Sequence, residues 1–212
     1  MSTRIFRSLA TPGMFRAIAL FVLLAVTLPL IASCGVNSIP TYAEQAKAAW
    51  AQVLNQYQRR ADLVPSLVAT VKGAANFESK TLEAVVQARA KVGQVQLPAD
   101  VLTNPQAMQA FEQSQAGLTS ALSRLLVVAE QYPDLKANAN YQTLQAQLEG
   151  TENRIAVARR DYIDAVRLYN TELKTFPGRW WAWLLYSDAK EMAQFTIDDK
   201  AATVPAVDFN TP

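Results

Sequence analysis

The chain has 212 residues, 20 basic and 18 acidic side chains, seven glycines, one cysteine and no histidine. That length predicts one domain with appendages, and glycine so scarce argues against a β-sandwich or a nucleotide-binding α/β fold, leaving a helical protein. Without histidine, and with a single thiol, the chain lacks Ser-His-Asp and Cys-His nucleophilic pairs, zinc sites built on Cys and His, and haem ligation by His.

Residues 1–33 read as an address. Arg4, Arg7 and Arg16, with no acidic residue among them, precede an apolar run from Ala17 to Ile31 and the small residues Ala32 and Ser33. This is the layout of a secretory signal peptide. Ile31-Ala32-Ser33-Cys34 is similar to a bacterial lipobox, in which cleavage before the cysteine leaves a thiol that carries lipid, so Cys34 is the expected lipidation site. The competing reading is an uncleaved membrane anchor, because Met14 to Ser33 could cross a hydrocarbon core of about 30 Å. A buried core helix is a third. The basic residues stay on the cytoplasmic side under either membrane reading, which puts the rest of the chain outside. Processing at Cys34 removes three basic residues and turns a formal charge of +2 into −1. The sequence pI of about 8.7 therefore belongs to the address, and no electrostatic footprint for nucleic acid remains.

A short linker, 34–39, leads to a helical domain over 40–196. Ala46, Trp50, Val53, Tyr57, Ala61, Val64, Val68, Val71 and Ala75 keep one helical phase across Pro65. This predicts one continuous helix kinked at the proline, with a short turn at Leu63-Val64-Pro65 as the alternative. Leu82, Val85, Ala88 and Val92 carry the pattern on, and Gly93 to Pro105 forms a connection. Met108, Phe111, Gln115, Leu118, Leu122, Leu125, Ala129 and Tyr132 then alternate at three and four, the stripe of a second amphipathic helix ended by Pro133. After it, Tyr141, Leu148, Ile155, Tyr162, Tyr169 and Phe176 stand seven apart, with Leu144, Thr151, Ala158 and Ala165 in the companion positions of a coiled-coil seam. The short link before this helix predicts antiparallel packing of the two. The fold expected is all-α, an antiparallel bundle of long helices.

Past Pro177, Trp180, Trp181 and Trp183 fall within four positions and cannot share one helix stripe. They are candidates for contact with a membrane or a partner, or they cap the end of the bundle. An extended tail, 197–212, closes the chain.

Several long motifs, in one order, resemble the LemA family: Trp50 to Arg60, Asp62-Leu63-Val64-Pro65-Ser66-Leu67-Val68, Tyr132-Pro133-Asp134-Leu135-Lys136-Ala137-Asn138, Leu148-Glu149-Gly150-Thr151-Glu152-Asn153-Arg154-Ile155-Ala156, Ala158-Arg159-Arg160-Asp161-Tyr162 and Thr175-Phe176-Pro177. The sequence departs from the family pattern in its lipobox, where members usually keep a transmembrane helix, and at Ile163, commonly Asn. The resemblance implies a membrane-anchored domain of long antiparallel helices with no agreed catalytic motif and no cofactor.

The polar residues singled out as an interaction surface or a register-fixing network are Arg60, Asp62, Glu149, Glu152, Asn153, Arg159, Arg160, Tyr162, Tyr169 and Asn170; Arg60 or Asp62 would fix the register of the bundle through a buried polar network if it faced Tyr162 or Glu149. A carboxylate hydrolase would have to use Glu149 with Glu152. The expected function is a non-catalytic scaffold or adaptor of the bacterial cell envelope, meeting an envelope protein, the membrane or a second copy of itself. Gly35 in place of an Asp after Cys34 predicts the periplasmic face of the outer membrane in a two-membrane cell.

Overall fold

A computed structural model describes Phe21 and residues 35–73 and 77–195; the rest of the address, Cys34, Ala75 and the 197–212 tail lie outside the described residues. Among those described every element is helical: α1 (Ser38–Lys72), α2 (Ser79–Gln94), a 3-10 turn (Val101–Thr103), α3 (Pro105–Ala129), the single turn α4 (Pro133–Lys136), α5 (Ala139–Lys174) and α6 (Gly178–Leu185). No helix among the described residues is long and apolar enough to cross a membrane.

Two prolines mark the start of a helix. Pro105 and Pro133 stand in the first helical positions of α3 and α4, where an N–H would have no intrahelical partner. The Asn104 side chain caps α3 by accepting from the Ala107 N–H at 3.2 Å. Asn138 Oδ1 caps α5 by accepting from Asn140 and Tyr141 at 2.9 and 3.2 Å. Pro40 does not mark a start: α1 begins at Ser38 and takes the last two residues of the expected linker, because a proline in the first turn forfeits no helix hydrogen bond.

Helix α1 runs uninterrupted through Pro65, as the preserved phase implies. Proline cannot donate to the carbonyl four residues back, which is that of Ala61. That carbonyl is not orphaned: Arg89 Nε, from α2, donates to it at 3.0 Å. The gap that Pro65 opens in one helix thus becomes a directional tie to the next.

The tightest pair is α1 with α5, running antiparallel, followed by α2 with α3. Helix α3 is antiparallel to α5 as its short link requires, since Met108 and Phe111 share a core with Ile155 and Tyr162 while Leu125 and Ala129 share one with Tyr141 and Leu148. All seven stripe positions of α3 from Met108 to Ala129 are buried, and Tyr132 just beyond is half-buried with its ring 4.9 Å from Phe77.

The heptad seam of α5 needs two corrections. Tyr141, Leu148, Ile155, Tyr162 and Tyr169 are buried, but Phe176 lies beyond the helix end and is 71% exposed. In the companion row Thr151 and Ala158 are buried, after which Val166 takes the inner place and Ala165 turns half outward. An α-helix drifts by about 20° per heptad against a strict seven-residue repeat, so over several heptads the inward position moves by one residue.

After α6 the chain runs back, antiparallel, along α5. The Asn170 side-chain amide donates to the Met192 carbonyl at 2.8 Å and accepts from the Met192 N–H at 2.9 Å. The Tyr162 hydroxyl donates to the Ala193 carbonyl at 2.7 Å, and Ala193 N–H donates to Leu102 at 2.6 Å. Phe195 then enters the aromatic cluster, its ring 5.9 Å from Trp50 and 5.4 Å from Tyr162.

Candidate functional site

Two places on this frame collect the polar and aromatic residues that packing alone does not explain. The first is a node at mid-bundle. Arg60 is 1% exposed, on the inner face of α1 between Tyr57 and Val64. Its Nη1 donates to Thr119 Oγ1 at 2.7 Å and to Glu152 Oε1 at 3.0 Å. Its Nη2 donates to the Gln115 side chain at 2.6 Å and to the Gln115 carbonyl at 3.2 Å. The Nε–H has no partner among the described residues, and the guanidinium carbon sits 5.0 Å from the centre of the Tyr57 ring.

The node divides the interior. On one side lies a cluster of Trp50, Val53, Tyr57, Met108, Phe111, Ile155 and Tyr162; on the other, Val64, Leu67, Leu118, Leu122 and Leu148. Arg60, Gln115, Thr119 and Glu152 fall between them on three helices. Glu152 is 37% exposed, so its charge keeps contact with water while the guanidinium does not. The node opens onto a cleft of about 410 Å³ lined by Tyr57, Arg60, Gln115, Thr119, Glu152 and Arg159. Burial raises the Tyr57 phenol above its ordinary pKa, while the Arg159 and Arg60 charges pull it the other way.

The carboxylate that Arg60 meets is Glu152, in place of the Tyr162 or Glu149 named from the sequence. Asp62 is exposed and accepts from Gln58 at 2.8 Å, a turn away on its own helix. Glu149 is exposed and accepts from Gln145 at 3.1 Å, so the two glutamates of the hydrolase reading serve different partners and only Glu152 lines the cleft. Asn153 lines a separate groove with Gln52, Gln56 and Asp161, and Arg160 is exposed. Arg159 lies over the Phe195 ring at 4.4 Å. Tyr162 and Asn170 are bonded to the returning segment, and Tyr169 is buried. Burial raises the phenols of Tyr162 and Tyr169.

Sequence reasoning missed Gln115, Thr119 and Arg89. Gln115 carried a signal: a glutamine in an otherwise apolar stripe, at a buried position, requires a polar partner from a neighbouring helix.

The second place is α6. Gly178 permits its approach to α5, since a Cβ there would run into the Glu172 carbonyl oxygen. Trp181 turns toward the body, with its Nε1 buried. Trp180 and Trp183 turn outward, 67% and 80% exposed, so the three tryptophans divide between two faces as their spacing demands. Gly35, at φ +108°, closes the turn before α1, and a Cβ on it would meet Pro177 at 3.6 Å and Trp181 Nε1 at 4.0 Å. The start of α1 therefore lies beside α6 and the C-terminal end of α5. Ser38 Oγ, 2.5 Å from Glu172 Oε1, adds a polar contact between α1 and α5 there.

Comparison with known proteins bears on both places. Magnetosome proteins MamQ 1 and MamQ 2 of Paramagnetospirillum magneticum (strain ATCC 700264 / AMB-1) are each 32% identical to this chain over 91 residues, 43% of the chain and 32% of the relative. The chain thus spans about a third of the length of the curated relatives it matches. The family model for LemA matches residues 49–209, covering all the residues of the node and of α6, and the chain belongs to the LemA family.

Proposed function

We propose that this protein is a membrane-anchored, non-catalytic helical scaffold or adaptor of the bacterial cell envelope, with its domain outside the cytoplasm. One observation carries the reading: the antiparallel α1–α5 pair, with α5 of 36 residues extending about 54 Å, begins and ends beside the point where residues 1–34 join it. A rod tethered at one end holds its flank and its far end, at Gly73 and Tyr132 to Asn138, a fixed distance from the membrane. The Arg60 node holds the register of that rod. Its chemistry suits this role, since one guanidinium is tied by four hydrogen bonds to α3 and α5 and no pair of carboxylates faces the cleft. The apolar run before Cys34 supports lipid or transmembrane anchoring.

In-cell crosslinking followed by affinity capture, with Cys34→Ala in parallel, tests the proposal. A stoichiometric envelope partner that disappears in the variant is the expected result. Capture of the protein alone, with doubled mass in mild detergent, would replace the adaptor by a self-associating scaffold. A wild-type protein found entirely in the soluble fraction would remove the anchor.

A further inference from the structure

The outward face of α6 gathers exposed aromatic side chains. Phe176, Trp180, Trp183 and Leu184 are 71%, 67%, 80% and 62% exposed, and the last three fall at i, i+3 and i+4, on one stripe of the helix. Phe176 stacks edge-on against Trp180 at 5.1 Å, which makes the patch continuous. A surface helix normally turns such a stripe to the core, and here the body side is already filled by Gly178, Trp181 and Ala182. The charge on α6 has one sign: Arg179, exposed and four residues before Trp183, accompanies no acidic residue in the helix.

We infer that this face lies in the headgroup layer of the bilayer that holds the anchor, as a second attachment of the domain to the membrane. The inference rests on reading residues 1–34 as a membrane anchor. A Cβ on Gly35 would meet Pro177 and Trp181, so the glycine lies beside α6, and Cys34 is one peptide earlier in the chain, about 3.8 Å between Cα atoms. Beyond the hydrocarbon core, the headgroup region adds roughly 5–8 Å on each side. An anchor that enters the membrane at residue 34 therefore leaves α6 no room to stand clear of that layer. Tryptophan favours this depth, where the ring is apolar and its N–H stays wet, and an arginine beside it can reach lipid phosphate while its stem lies along the apolar surface. Two attachment points determine which flank of the rod faces the membrane, which a single flexible tether cannot.

The test uses the full chain reconstituted in phosphatidylcholine and phosphatidylglycerol vesicles, with and without brominated acyl chains. The signal comes from the domain alone, since the four tryptophans are Trp50, Trp180, Trp181 and Trp183 and none lies in residues 1–34. The protein should float with the vesicles and lose about half of its tryptophan emission to bromolipid, because two of the four rings are on the face. The Trp180→Ser/Trp183→Ser variant should float as well and keep its thermal midpoint, while most of the quenching disappears. Full-length protein that floats with its emission unquenched would overturn the inference and leave the anchor standing. Protein that fails to float would overturn both. Emission shielded from aqueous iodide but untouched by bromolipid, with doubled mass in detergent, would assign the face to a second copy of the chain and overturn the inference in that way.

Discussion

Replacing Arg60 by methionine tests whether the node is a set of mutually dependent bonds. Methionine retains much of the apolar volume, so the cavity is small and the cost comes from the partners left behind. Thr119 Oγ1 keeps a bond to the Gln115 carbonyl at 3.1 Å, and Glu152 is exposed enough for water to replace the guanidinium. The Gln115 amide, 5% exposed, has neither remedy. Leaving such a group unpaired costs about 1–3 kcal/mol, so Arg60→Met should destabilise by roughly 2 kcal/mol, a fall of about 1 M in the urea midpoint at a slope near 2 kcal/mol per M. Gln115→Leu alone should cost a similar amount or less, because Nη2 loses its 2.6 Å partner and keeps only the 3.2 Å bond to the carbonyl of residue 115. The double variant removes both partners and should recover about 1–2 kcal/mol of the summed losses, because an apolar replacement of both sides leaves nothing unsatisfied. Glu152→Gln, at a half-exposed position, should cost less than about 1 kcal/mol. Strict additivity of the two single losses, or a Glu152→Gln loss as large as that of Arg60→Met, would refute the reasoning.

The tie at Pro65 gives a second cycle. Arg89→Met should cost about 1 kcal/mol in the native chain and much less in a Pro65→Ala background, where the restored N–H satisfies the Ala61 carbonyl; equal losses in both backgrounds, read by denaturation midpoint, would dissociate Arg89 from the proline. Asn170→Ala should free the returning segment, raising amide exchange across 187–195 while α1 and α5 stay protected, and Asn170→Asp should not restore protection, since a carboxylate cannot donate to the Met192 carbonyl. Burial raises the phenols of Tyr57, Tyr141, Tyr162 and Tyr169, so the folded state holds protons that the unfolded state releases near pH 10. Their contribution to stability should be constant below that pH and be lost as it rises further, with tyrosinate absorbance appearing together with unfolding; Tyr162→Phe should shallow the fall, and an unchanged slope would exclude Tyr162 as a contributor.

The parts of this fold legible in the sequence are those governed by local period. The stripe from Met108 to Ala129 is read correctly at every position because burial of one face of a single helix leaves its mark at i, i+3 and i+4. Phe176 and Ala165 are misplaced because a seven-residue template has no drift, and Phe176 also falls past the end of the helix that the template extends. Which helices pair most tightly is not a local property, so the sequence places α3 against α5 without showing that α1 is the closest neighbour of α5. The segment after α6 has no period, because backbone groups hold it to Asn170 and Tyr162. At the node, Arg60 and Glu152 stand out as polar residues beside apolar seams, whereas Glu149 and Asp62, equally polar, sit on outer faces. The difference is one of phase, about 100° per residue, and a list of conspicuous residues discards it.

The placement of the polar ties bears on how a bundle of near-repeating seams keeps one arrangement. Apolar heptads bury similar area when one helix slides past another by seven residues, about 10 Å, and the stripes of α1 and α5 are long enough for such a slip to retain most of their contacts. Adjacent residues oppose it: Arg60 reaches α3 and α5, and the carbonyl of Ala61 reaches α2 through Arg89. Two consecutive positions of α1 thus address all three other long helices at the level where the two apolar clusters meet. If these ties set the register, removing them need not unfold the protein but should broaden it. Spin labels at Glu44→Cys and Ala146→Cys, both on exposed faces, in a Cys34→Ala background would report the offset of α1 against α5. A single narrow distance is expected for the otherwise native domain. Arg60→Met/Gln115→Leu/Arg89→Met, still helical by circular dichroism, should add a population displaced by about 10 Å. An unchanged narrow distribution would mean that the aromatic contacts of Trp50, Phe111 and Tyr162 already select the register, and that the node contributes stability alone.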